Sequence, residues 1–85
     1  MFLKAKDLLK LQYLIGYDCT VSVFCNFNKL GLRVSIINGI TDQEYFYEEL
    51  LIYAPNMHPH VVQNMLERFA YKAKNSIEQF LSIQN

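Results

Sequence analysis

The hydrophobic positions of the chain follow a helical spacing at both ends. Apolar residues recur every three or four positions through residues 3–15 and again through 62–81, which is the pattern of a helix that buries one face. Gly16 follows the first segment and favours a helix end, whereas Pro59 precedes the second and favours a first helical turn. We therefore predict a short N-terminal helix that stops near Gly16 and a long C-terminal helix that starts at Pro59.

The middle of the chain alternates apolar and polar residues with the period of a strand. Segments 20–27 and 32–36 both show this alternation and contain several β-branched side chains. Turn-forming residues at 28–31 separate the two segments, and the pair Asn38-Gly39, which tolerates positive φ, follows the second. The pattern predicts a β-hairpin and a further reversal of the chain at Asn38-Gly39.

Segment 43–53 fits both a strand and a helix. A helix would begin with a capping box formed by Thr41 and Glu44 and would end at Pro55. A strand is favoured because aromatic residues crowd the segment, because a two-stranded hairpin alone is marginally stable, and because Glu44 and Glu48 would repel each other one helical turn apart. The strand interpretation gives the order α-β-β-β-α, and the helical one gives α-β-β-α-α as the alternative.

The length of the chain limits the fold class and the cofactors to be expected. With 85 residues, it forms a single domain spanning residues 1–85, which leaves no room for a cofactor domain. We expect an α+β fold with a three-stranded antiparallel sheet and no cofactor. No apolar run approaches the roughly 20 residues of a membrane span, and the lysine-containing start is not typical of a secretory signal, so we expect a cytoplasmic protein.

The charges are balanced overall but are divided unevenly along the chain. The formal net charge is zero. Residues 34–67 contain five acidic residues and no basic one, whereas segments 1–33 and 68–85 both carry an excess of basic residues. This distribution indicates either an acidic surface that faces a basic partner or charge complementarity within or between copies of the chain.

No motif for catalysis stands out, and the candidate metal ligands are too few. The chain contains no GxSxG, HExxH or GxxxxGK[ST] motif, so we expect no catalytic residues and no enzyme. On extended backbone, His58 and His60 could point two imidazole rings the same way, but a metal site needs a third and a fourth ligand, and no spacing selects them. We therefore expect no metal site.

A partly basic stripe on the C-terminal helix supports a second functional hypothesis. Arg68, Lys72, Lys74 and Asn75 would contact the phosphates of a double-stranded nucleic acid. The run Lys72-Ala73-Lys74-Asn75, in a chain of order α-β-β-β-α, resembles the lysine-rich motif on the second helix of double-stranded RNA-binding domains, and that resemblance implies duplex binding. The zero net charge argues against it, because phosphate contacts supply most of the affinity and dedicated binders are usually basic.

An aromatic and acidic surface around the third strand supports the favoured hypothesis. Two helices cannot cover both faces of the sheet, so we expect tyrosine rings to be exposed on its open face. Tyrosine offers a large rigid area with a polar tip and is enriched at protein interfaces. The expected partner-binding residues are Tyr45, Tyr47 and Tyr53, with Glu44, Glu48 and Glu49 interleaved.

The favoured function is that of a non-enzymatic protein-interaction module that binds or inhibits a bacterial protein by occlusion. Residues with AT-rich codons far outnumber those with GC-rich codons, which indicates a low-GC bacterium or one of its phages as the source. In size and element order the chain resembles small bacteriophage inhibitors, including some anti-CRISPR proteins, and that resemblance implies a host protein as the partner. A self-associating structural protein that forms a homodimer is the remaining alternative.

Overall fold

The computed structural model describes residues 5–27, 29–51 and 56–84, and their elements follow the order α-β-β-β-α. The elements are helix α1 (Ala5–Ile15), strands β1 (Thr20–Asn26), β2 (Lys29–Ile37) and β3 (Glu44–Leu50), and helix α2 (Pro59–Gln84). The α+β fold and the strand interpretation of segment 43–53 are confirmed, and the alternative order α-β-β-α-α is wrong. Within this part of the chain, neither helix combines the length and the apolar character needed to cross a bilayer.

The three strands form an antiparallel meander in which β2 lies between β1 and β3. Val34 lies near the middle of the sheet, opposite Val21 on β1 and Tyr47 on β3. Successive side chains of a strand point to opposite faces, and β2 shows the result: Leu32 and Val34 are buried, whereas Arg33 between them is partly exposed. The sheet therefore has one covered face and one face turned to solvent.

Both helices pack on the same face of the sheet and enclose a single hydrophobic core. α1 contributes Leu11 and Ile15, and α2 contributes Phe69 and Ile77, all of which are almost fully buried. Steps of three and four residues keep these positions on one side of each helix. α1 contacts β1 and α2 contacts β3, so the two helices divide the covered face between them.

Both predicted helix ends are confirmed. Gly16 follows α1 with a φ of +81°, a left-handed conformation that glycine adopts without steric strain. α2 begins at Pro59, and the carbonyl of the preceding His58 accepts the N–H groups of Val61 and Val62. The local residue types at these two points are therefore sufficient to fix where the helices stop and start.

The first turn of the sheet is tighter than predicted. β1 ends at Asn26 and β2 already begins at Lys29, so the prediction of a turn over 28–31 is wrong for residues 29–31. Gly31 lies inside β2, opposite Phe24 on β1. Gly31 is therefore a strand residue that lies close to the ring of Phe24, and it does not mark a turn.

The second turn confirms the predicted reversal at Asn38-Gly39. The side chain of Asn38 is buried, and its Oδ1 accepts the N–H groups of Ile40 at 2.9 Å and Thr41 at 3.3 Å. The positive φ of this turn, +58°, lies at Asp42 and not at the pair itself. Asn38 thus acts as an Asx cap that holds the whole connection between β2 and β3.

Candidate functional site

The tyrosines of β3 lie beneath α2, so the prediction that they are exposed on the open face is wrong. The ring of Tyr45 stacks on Phe80 with centroids 4.8 Å apart, and its hydroxyl forms a hydrogen bond with Ser76. The ring of Tyr47 packs against the buried Phe69 at 5.6 Å. The reason is that α2 packs on the face of β3 that carries the tyrosines, and its 26 residues, about 39 Å, are long enough to run along a seven-residue strand of about 24 Å.

Glu49 belongs to the same covered side as the tyrosines. Its carboxylate accepts the hydroxyl of Tyr47 at 3.0 Å and the ammonium of Lys72 at 3.2 Å. Burial and this carboxylate raise the pKa of Tyr47 to about 12, because both disfavour the tyrosinate anion. Glu49 therefore joins β3 to α2 and does not contribute to an outward acidic surface. Tyr53, the remaining predicted aromatic residue, lies outside the described residues.

The side of the sheet turned away from both helices is called the open face here. Its members follow from the strand alternation and the observed register. It includes Phe24 of β1, Gly31 and Arg33 of β2, and Glu44, Phe46, Glu48 and Leu50 of β3. Phe46 is 49 % exposed and Leu50 is 43 % exposed. The open face thus combines apolar side chains with charged ones of both signs.

Arg33 stands at the centre of the open face. Its Nε donates a hydrogen bond to Oε1 of Glu48 at 2.6 Å. Its guanidinium carbon lies 5.2 Å from the ring centroid of Phe24 and 5.7 Å from that of Phe46, both within the range of cation–π interactions. Because the ion pair is partly exposed, it contributes at most about 1 kcal/mol. Its main effect is to hold a cation between two aromatic rings.

Gly31 allows the ring of Phe24 to lie directly on the backbone of β2. A Cβ at Gly31 would be 2.4 Å from Cζ of that ring, far inside the usual carbon–carbon contact distance of about 3.5–4.0 Å. Glycine is therefore required here for a close approach. Any side chain at this position would push the ring of Phe24 away from its place beside Arg33.

The structure places the predicted acidic residues on two faces and adds Phe24, Arg33 and Phe46, which were not predicted as site residues. Glu44 and Glu48 lie on the open face, whereas Glu49 does not. The sequence reasoning did not select Phe24 or Arg33. A signal for Phe24 was present, since it is an aromatic residue at a position where the alternation of β1 calls for a polar one.

Of the residues predicted to bind nucleic acid, Arg68, Lys72 and Asn75 lie on one side of α2, whereas Lys74 does not. Arg68 and Lys72 line a cleft of about 440 Å³ between β3 and α2, and Lys72 is ion-paired with Glu49. Lys74 follows Lys72 by two residues, which is about 200° around the helix, so it points to a different side. Asn75 lies in a separate groove nearer the C-terminal end of α2. Of the four predicted residues, the structure brings Arg68 and Lys72 together.

The histidine pair lies at the start of α2. The rings of His58 and His60 stack with centroids 5.0 Å apart, and the backbone N–H of His60 donates to Nδ1 of His58 at 3.1 Å. Across residues 5–27, 29–51 and 56–84, no three histidine, cysteine, aspartate or glutamate side chains are grouped to hold a metal ion. The pair therefore has a local hydrogen-bonding role at the helix start.

Comparison of the chain with models of known protein families, with curated proteins and with solved structures found no match. The open face combines an ion pair with two cation–π contacts, and β3 beside it forms an edge of the sheet.

Proposed function

We propose that the chain is a non-enzymatic protein-interaction module that binds a partner protein through the open face. The observation that supports this proposal is the cluster of Phe24, Arg33, Phe46 and Glu48 on a sheet face that neither helix covers. Aromatic residues and arginine are the residue types enriched at the centres of protein interfaces. The ion pair and the two rings fix the orientation of Arg33, so little side-chain entropy is lost when a partner binds.

The open face is smaller than the contact area of a standard protein interface. Three strands of seven to nine residues present a footprint of roughly 350 Å², from a rise of about 3.4 Å per residue and a strand spacing of about 4.8 Å. A stable interface buries about 800 Å² on each partner. A partner that forms a stable interface is therefore expected to contact residues beyond the sheet as well as the open face.

The chemistry of the face defines the partner more closely. Phe24, Phe46 and Leu50 require apolar side chains opposite them, and Glu44 and Glu48 favour basic residues nearby. The excess of amino acids that have AT-rich codons supports a setting in a low-GC bacterium or its phages. There the module would inhibit a bacterial protein by occluding its surface. A duplex nucleic acid is the less favoured partner, because the chain has no net positive charge and phosphate contacts supply most of the affinity of nucleic-acid binders.

The test uses capture from a lysate of a low-GC bacterium with three forms of the protein. The wild-type chain and Tyr13→Asp, a change at an 84 % exposed residue of α1, should capture the same partner, whereas Phe46→Asp should lose it. The captured protein is then purified and its binding to the three forms measured by calorimetry. Equal binding by all three forms would contradict the proposal, as would loss of binding with Tyr13→Asp alone.

A further inference from the structure

One edge of the sheet has main-chain groups that no described strand satisfies. β3 is the last strand of the meander and pairs with β2 on one side only. The N–H of Leu51 bonds to the carbonyl of Leu30 at 2.8 Å, and that of Asn38 bonds to Gln43 at 2.8 Å. In an antiparallel pair, residues that bond to the neighbouring strand alternate with residues whose N–H and C=O groups point away.

Because Leu51 bonds to β2, every second residue before it on β3 also directs its main-chain groups toward β2. Tyr45, Tyr47 and Glu49 fall in the set that bonds to β2. The intervening residues, Glu44, Phe46, Glu48 and Leu50, therefore direct their main-chain groups away from the sheet. The outward N–H and C=O groups are therefore spaced so that another extended strand could form hydrogen bonds with them.

A cleft lies directly beside this edge. It separates the end of β3 from α2 and has a volume of about 440 Å³, within the range of ligand pockets. Its apolar lining consists of Leu50, Leu51, Met57, Val61, Met65 and Phe69. Methionine side chains adapt to differently shaped apolar partners. A strand added to β3 would place every second side chain next to this cleft and the others beside the open face.

The charges along the edge select what kind of strand fits. Two copies of β3 paired with each other would bring Glu44, Glu48 and Glu49 of each copy into repulsive proximity, so self-pairing is disfavoured. On the open-face side, Glu44 and the carboxylate oxygen of Glu48 that Arg33 does not bind favour lysine or arginine on the added strand. On the cleft side, Arg68 and Lys72 at the rim disfavour basic residues, and the apolar lining favours branched aliphatic ones.

From this geometry we infer that β3 binds an extended segment of the partner protein by strand addition, with basic side chains toward Glu44 and Glu48 and apolar side chains toward the cleft. The inference rests on the proposed protein-interaction function and specifies how the partner is held. Main-chain hydrogen bonds to the outward groups of Phe46, Glu48 and Leu50 would supply affinity, and the alternating side chains would supply specificity.

The direct test measures amide hydrogen exchange by NMR in the wild-type protein. The probe is an acetylated and amidated heptapeptide of alternating valine and lysine. Its controls are the same peptide N-methylated at its lysines, whose N–H groups would bond to β3, and a valine–glutamate peptide. At a saturating concentration of the valine–lysine peptide, exchange at Phe46, Glu48 and Leu50 should slow by about tenfold or more, because their outward amides become hydrogen-bonded. Exchange at Tyr47 and Glu49 should change little, and both control peptides should have no effect.

A pair of variants isolates the main-chain contribution. Glu48→Gln removes the charge and keeps the outward N–H, whereas Glu48→Pro removes both, and proline is tolerated on an edge strand where the N–H faces solvent. We expect Glu48→Pro to bind the peptide at least about tenfold more weakly than Glu48→Gln, as loss of a main-chain hydrogen bond and a steric block predict. Retained protection of the Tyr47 and Glu49 amides shows that each variant keeps the sheet.

The outcomes separate this inference from the function on which it rests. Peptide binding without protection of the outward amides, or equal binding by both variants, would overturn strand addition while the open face remained the docking surface. Absence of binding at millimolar peptide would also overturn it, as would protection of the same amides in a dimer of the free protein. A partner whose binding is unaffected by Phe46→Asp would instead refute the proposed function.

Discussion

Replacement of Gly31 by alanine tests the contact that organises the open face. Gly31 does not have a positive φ, so alanine fits the backbone, and the strand itself should gain about 0.5–1 kcal/mol in stability from the change. The new Cβ, however, would overlap the ring of Phe24. The ring must then leave the β2 backbone and its place beside Arg33.

The cost of moving the ring can be worked out from the structure. Inserting a methyl group into a packed contact costs about 1–3 kcal/mol, and loss of the exposed cation–π contact accounts for about 0.5–1 kcal/mol of this cost. Set against the gain in the strand, Gly31→Ala should destabilise the wild-type protein by about 1 kcal/mol. In a Phe24→Ala background the same change should stabilise it by about 0.5–1 kcal/mol, since nothing is displaced.

Urea unfolding of the wild type, the two single variants and the double variant measures this difference as a double-mutant cycle. We expect a coupling energy of about 2 kcal/mol between the two positions. Equal effects of Gly31→Ala in both backgrounds would show that the ring does not lie on Gly31. The same variant should also weaken partner binding, because it moves one of the two aromatic residues that flank Arg33.

Two further predictions concern the covered face. The folded-state pKa of Tyr47, about 12, lies above its ordinary value of 10, so its contribution to stability is complete below pH 10 and is lost as the pH rises toward 12. Urea unfolding at pH 9 and at pH 11.5 should therefore show that the wild type loses more stability than Tyr47→Phe as the pH rises. The difference should be no more than about 2 kcal/mol after solvent screening. Equal losses of stability would contradict the burial of Tyr47. Phe69→Ala should lower the unfolding free energy by about 3–5 kcal/mol. Phe27→Ala, at a 93 % exposed turn residue, should change it by less than about 0.5 kcal/mol in the same assay. Similar effects at the two positions would mean that the core is wrongly placed.

Local patterns in the sequence predicted the elements of this fold well. The helical spacing, Gly16 and Pro59 determine α1 and α2, and the alternation of β1 and β2 determines the hairpin, because these features depend on neighbours in the chain. The strand interpretation of β3 was correct for the same reason. Gly31 was misplaced because its role depends on a ring from the opposite strand, a contact that the local pattern does not contain.

The candidate site was harder to predict because it depends on which face of β3 the long helix covers. Both faces of β3 are aromatic, with Tyr45 and Tyr47 on one and Phe46 on the other, so alternation separates the faces without telling which is buried. The packing of α2 on the tyrosines determines that their face of β3 is the covered one. Glu44, Glu48 and Glu49 were predicted as one group with the tyrosines, whereas in the structure Glu44 and Glu48 share the open face with Phe46 and Glu49 lies on the covered face.

The orientation of β3 is tested most directly by the access of a soluble nitroxide to aromatic rings in the free protein. Paramagnetic broadening of ring-proton NMR signals reports which rings meet solvent. We predict strong broadening for Phe46, moderate broadening for Phe24, and weak broadening for Tyr45 and Tyr47, which lie beneath α2. Strong broadening of both tyrosines with protection of Phe46 would show that α2 covers the other face, and the proposed binding surface would then be wrong.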